Sequence, residues 1–228
     1  MSKYNKIYLI PGLATDKTIY KDLIEELDAP CEVIEFQPLD DDDSLHDYAI
    51  KMSREIDESE PFVILGTSFG GILAMEIAKI KHPEKVILIS SAKNREELSP
   101  IMRLKGASFF VSMVPDKIMK HIFNKGFHIS TFVKKSYKSI YNDDTKAMVA
   151  KSTGGFDKWV MKQVSDWNSD FEHQSLLHIH GDKDIVFPIK HIGNCYVIKG
   201  GGHPMIINKY KEIGKVITDF LHLPSNNN

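Results

Sequence analysis

Cysteine is scarce in this chain: Cys31 and Cys195 are the two in 228 residues, which excludes a scaffold stapled by several disulfides. Long apolar runs are missing as well. No stretch reaches the roughly 20 residues that a membrane-spanning helix needs. Charge of one sign is also missing. Lys plus Arg number 29 against 31 for Asp plus Glu, a formal net charge of −2, so no field draws the chain to nucleic acid or to an anionic membrane. No His, Cys or Asp spacing matches a metal cluster, and no metal or cofactor is expected. Internal repeats and low-complexity linkers are absent too. Residues 1–6 lead straight into an apolar strand, so no signal peptide is expected. Residues 224–228 read as a frayed tail.

What is present suffices for one core. Hydrophobic residues make up 42% of the chain, enough for a single domain over 1–228. Short apolar runs alternate with helical patterns. Strands are expected at 6–10, 31–36, 62–66, 85–90, 176–180 and 195–198. Helices are expected at 17–27, 44–58, 70–81, 156–167 and 209–221. The acidic run at 40–43 belongs to a solvated loop that ends at a helix start, Ser44, with Asp47 three residues on. Such alternation with short loops predicts a mostly parallel sheet of six strands with helices on both faces. Residues 93–155 break the pattern. They are too long for a plain loop, and their content is helical, with candidates at 101–113, 116–123, 131–141 and 143–151.

The most informative stretch is Gly66-Thr67-Ser68-Phe69-Gly70-Gly71. It reads G-x-S-x-G, between a buried-strand pattern and a helix pattern. A serine on a sharp strand-to-helix turn projects its hydroxyl into the open. The turn needs small neighbours, which Gly66 and Gly70 supply, and the helix N-terminus favours developing negative charge. Two more segments follow in order. His180-Gly-Asp182-Lys-Asp184 ends the strand at 176–180, and Gly200-Gly-Gly-His203-Pro204 follows the strand at 195–198. Serine, acid and histidine are the parts of a nucleophilic triad.

Plainer readings exist for each part. A serine between glycines can be a tight turn. Asp182 and Asp184 are both turn formers, and either can be the acid. His203 can be a solvated loop residue. His178 and His180 alternate with apolar residues and read as core or loop-shaping histidines. His82, His121, His128, His173, His191 and His222 lie in no motif.

The order Ser68, aspartate, His203, with H-G-x-x-D-x-x-x-P closing one strand and G-G-H beyond the next, resembles the α/β-hydrolase family from about Lys6 to Leu221. The resemblance implies that Asp184, the second aspartate of its loop, is the acid. It implies an oxyanion hole from the backbone N–H of Phe69 and of Leu13, the latter in the loop Pro11-Gly12-Leu13-Ala14. That loop departs from the family's usual His-Gly opening by carrying Pro11 before Gly12. It implies that 93–155 is a helical cap insertion whose Met102, Phe109, Phe110, Met113, Met119, Phe123 and Phe127 pack it or line a pocket. In the family's strand order Cys31 and Cys195 stand at opposite sheet edges, too far apart to bridge. Free thiols then point to a reducing cytoplasm. The implied activity is hydrolysis of a carboxylic ester or related acyl compound, with a small-molecule substrate. A lyase like that of the menaquinone pathway, or a C–C hydrolase, is the alternative on the same triad. Such a lyase would hold an anionic substrate with arginines, for which Arg95 and Arg103 are the candidates. A receptor that binds without turnover is the remaining alternative. Oligomeric state is left open.

Overall fold

A computed structural model describes residues 6–40, 42–104, 113–115, 117–118 and 154–223. Most of the expected cap, 93–155, therefore lies outside the described residues. Six strands form one sheet: β1 (Lys6–Ile10), β2 (Cys31–Val33), β3 (Phe62–Thr67), β4 (Lys85–Ile89), β5 (Leu176–Gly181) and β6 (Tyr196–Ile198). Their order is β2-β1-β3-β4-β5-β6, and every pairing is parallel. Helices follow as α1 (Lys21–Ile24), α2 (Leu45–Ser53), α3 (Phe69–Lys81), α4 (Gly154–Asp166), α5 (Met205–Asn208) and α6 (Tyr210–His222).

The strands are apolar on both faces because helices cover both. Tyr8, Ile10, Ile64, Val86 and Leu88 face one core with Tyr48, Met52, Ile72, Val160 and Trp167 from α2, α3, α4 and the residue after α4. Ile7, Leu9, Val63, Leu65, Ile87 and Ile179 face the other with Leu23, Ile213 and Ile217 from α1 and α6. Adjacent strand residues thus enter opposite cores, as the two-residue repeat of a strand requires. No helix among the described residues is long and apolar enough to cross a membrane.

Several elements are shorter than their hydrophobic patterns predict. The pattern at 31–36 yields pairing over Cys31–Val33, because β1, its neighbour, ends at Ile10 before Pro11, which has no N–H to donate. The pattern at 17–27 becomes a 3₁₀ turn at Lys17–Tyr20 and the short α1. Ile19, Tyr20, Leu23 and Leu27 are nonetheless buried. The pattern at 44–58 ends its helix at Ser53, then closes with i to i−3 bonds from Arg54, Glu55 and Ile56. Burial periodicity reports which face is inside, and tighter turns satisfy it as well as a helix does. Residues 101–103 form a turn, not the opening of the helix expected at 101–113. The short α5 follows Pro204 and has no periodic pattern of its own.

The start of α2 is fully specified locally. The Ser44 side chain accepts from Asp47 N–H while Asp47 accepts from Ser44 N–H, a reciprocal cap. Lys51 Nζ reaches back 2.7 Å to both Asp40 and Asp43, so part of the acidic run is folded onto this helix.

Candidate active site

The strand order reverses between β1 and β3: the chain leaves β1 for β2 on one side, then returns to β3 on the other. Open parallel sheets carry their crevice at such a point, beyond the C-terminal strand ends. The loop after β1 and the turn after β3 meet there. Ser68 sits on that turn with φ 55° and ψ −124°, a conformation few non-glycine residues adopt. Ser68 N–H donates to Ile89 O at 3.0 Å, and Ser68 O accepts from Gly71 N–H at 2.9 Å and from the Ser91 hydroxyl at 2.7 Å. Both backbone polar groups of Ser68 are thus engaged.

Glycine at 66 and 70 allows the turn to be this tight. A Cβ on Gly66 would stand 2.2 Å from Gly70 O, and one on Gly70 would stand 2.2 Å from Ile10 O. At Gly12 a Cβ would stand 3.1 Å from Ser68 Cβ. The 11–14 loop therefore lies against the serine, with Leu13 half-buried on the first core. Phe69 opens α3 with its ring buried.

The acid and the histidine arrive from the next two loops. Lys183 N–H donates to Gly201 O, and a Cβ on Gly181 would stand 2.2 Å from Gly201 O. This close approach carries His203 to Asp184. Their side chains meet at 2.9 Å, Nδ1 to Oδ2. His203 Nε2 lies 2.9 Å from Ser68 Oγ. A carboxylate only accepts, so Nδ1 carries the imidazole proton and Nε2 accepts from the serine hydroxyl. Asp184 Oδ1 accepts from Val186 N–H at 2.8 Å and Phe187 N–H at 2.9 Å. Burial by itself would raise the Asp184 carboxyl, but the His203 charge and the hydrogen bonds from His203 and Phe187 outweigh it, and its pKa is lowered. The acid is thus held ionised in a nearly closed pocket. Asp182 does something else: its Oδ1 accepts from Gly200 N–H at 2.6 Å, pinning the two loops together.

Among the sequence candidates, the structure brings together Ser68, Asp184 and His203, and lays the Leu13 loop beside them. Arg95 is elsewhere. Its guanidinium donates to Ser165 O, Trp167 O and Arg103 O, which ties the segment after β4 to the end of α4 and occupies the group that an anionic substrate would need. Sequence reasoning passed over Ser91 and Glu97. An apolar strand ending in Ser90-Ser91 is the signal that was available for the first. Glu97, itself buried, carries none, because its partner Gly193 N–H at 2.9 Å is remote in sequence.

An open parallel sheet with a serine turn after β3, an acid after β5 and a histidine after β6 is the α/β-hydrolase fold, and this chain has it. Residues 5–89 match the profile of the Thioesterase domain family. Among solved structures the chain resembles an enol-lactonase from Burkholderia xenovorans LB400 (TM-score 0.74, 12% identity, 96% of this chain and 92% of that one). It also resembles a hydrolase from Pseudomonas aeruginosa PA01 (0.73, 14%, 98% and 92%) and MenH from S. aureus (0.70, 15%, 97% and 94%). Comparison by sequence with curated proteins finds no match.

Proposed function

We propose that this protein is a serine hydrolase that cleaves a carboxylic ester or related acyl compound through an acyl-enzyme. The observation that carries the reading is the unbroken line from Ser68 Oγ to His203 to the buried Asp184, at 2.9 Å for each step. Ser68 attacks the carbonyl carbon as its proton passes to His203 Nε2. Asp184 holds the imidazole in the required tautomer and stabilises its cation. The N–H groups of Phe69 and Leu13 receive the oxyanion, helped by the α3 N-terminus. His203 gives its proton to the leaving group, then draws one from water. The hydroxide so formed attacks the acyl carbon, and His203 passes that proton to Ser68 Oγ as the bond from Oγ to the acyl carbon breaks.

Thioesters undergo the same chemistry, and the match of 5–89 to the Thioesterase family favours including them. Occupation of Arg95 by three carbonyls weighs against the lyase alternative. A receptor that does not turn over its ligand has no need of a His203 aligned with both partners.

Covalent labelling by a fluorophosphonate tests the reading directly. The expected result is a single adduct on Ser68 by mass spectrometry. Ser68→Ala should abolish the adduct and lower p-nitrophenyl acetate hydrolysis by a factor on the order of 10⁴ or more, with the circular dichroism spectrum unchanged. Hydrolysis that survives in the folded variant would remove the triad reading.

A further inference from the structure

His178 and His180 lie two residues apart on β5, so both side chains enter the same core. They are 2% and 0% exposed, and their rings meet edge to face with centroids 5.3 Å apart. His178 Nε2 stands 3.1 Å from Ser91 O, and His180 Nε2 stands 2.7 Å from Phe187 O. Carbonyl oxygens only accept, so both Nε2 atoms carry protons. Burial lowers the pKa of both rings, to about 3 for His178, and keeps them neutral. Each Nδ1 is then a bare acceptor, and neither finds a donor. His178 Nδ1 instead faces Glu97 Oε2 at 3.5 Å, a second acceptor, which with a neutral ring is no ion pair. Valine or leucine would fill these strand positions without leaving two bare buried nitrogens.

The two carbonyls are not arbitrary ones. Phe187 is the residue whose N–H donates to Asp184 Oδ1. Ser91 is the residue whose hydroxyl donates to the carbonyl of Ser68. One ring holds the loop that aims the acid, and the other holds the residue that holds the nucleophile turn. We propose that His178 and His180 are positioning residues, a buried brace in which His180 fixes the Asp184 loop through the Phe187 carbonyl and His178 fixes the Ser68 turn through Ser91. The inference rests on the serine-hydrolase reading above.

The test compares His178→Leu and His180→Leu, which keep the volume and lose the donor, with His178→Gln and His180→Gln, which return an N–H close to the place of Nε2. Turnover of p-nitrophenyl acetate and the rate of fluorophosphonate labelling are measured well below each variant's Tm. Each Leu variant is expected to lower kcat roughly 10- to 100-fold, the scale of a small misplacement of reacting groups. KM should stay within about threefold, since no substrate contact is removed. The Gln variants should recover most of the loss. Folded Leu variants with wild-type kcat overturn the brace, and so do Gln variants as slow as Leu. If a Leu variant does not fold, the matching Asn variant replaces it. Its shorter amide misses the carbonyl, so it should be slow beside Gln, and equal rates overturn the proposal. A wild-type protein that does not label removes the triad reading and the brace with it. A wild type that labels, beside Leu variants that label equally fast, removes the brace alone.

Discussion

At the scale of single residues, two aspartates two positions apart have different partners. Asp184 faces the imidazole from a 5% exposed site, while Asp182 caps Gly200 N–H. Asp184→Asn keeps the shape but presents an amide where the imidazole N–H needs an acceptor, and it favours the wrong tautomer. The expected loss in kcat is on the order of 10⁴. Asp182→Asn retains an oxygen for Gly200 and should stay within about tenfold of wild type. Steady-state rates on one ester for both variants check the assignment, and a reversed ranking sinks it. The presence of both aspartates was legible in the sequence. Which one turns toward His203 follows from the Asp184 side chain closing on Val186 and Phe187 N–H, a matter of local turn geometry.

At the scale of elements, the site depends on how closely α3 approaches the end of β1. A Cβ on Gly70 would stand 2.2 Å from Ile10 O and 2.3 Å from Pro11 O. Both are backbone atoms and cannot move aside cheaply. Gly70→Ala should therefore cost about 3 kcal/mol or more by forcing the helix away from the strand. The cost is steric. Gly200, at φ 71° with nothing within 4 Å of its absent Cβ, presents the opposite case. Gly200→Ala should cost about 1 kcal/mol, for the left-handed backbone alone. Urea melts of both variants distinguish the two origins, and equal losses would contradict this account of Gly70. The element patterns themselves were legible. Their ends were not, because the last turns at 25–27 and 54–56 close with i to i−3 bonds that bury the same residues as a helix would.

At the scale of the whole molecule, the buried histidines set a response to acid. Folded His178 and His180 have lowered pKa values, so below the unfolded value near 6.5 the unfolded chain takes up protons that the native protein refuses. Stability is therefore undiminished above about pH 6.5 and falls as pH drops from there, toward about 3 for His178. The slope is at most about 1.4 kcal/mol per pH unit for each group. Asp184 acts in a lower window: its lowered pKa contributes stability above its unfolded value, lost as pH falls through the folded one. Tm should begin to decline near pH 6, before carboxylates titrate, and His178→Gln should flatten that decline. A Tm constant down to pH 4.5 would contradict the neutral buried pair.

The sequence by itself determined the alternation of strands and helices, the two-faced sheet and the turn that carries Ser68. These rest on periodicity and on glycines at short spacing, which act within a few residues. It also supplied the order of serine, acid and histidine. Tertiary structure decided what long-range contact decides: that Gly201 abuts Gly181 and so delivers His203 to Asp184, and that Arg95 is occupied by carbonyls of the α4 end. It also gave His178 and His180, core or loop-shaping histidines by sequence, their partners Ser91 and Phe187. Those contacts join residues up to 87 positions apart, and hydrophobic patterning has no reach over such distances.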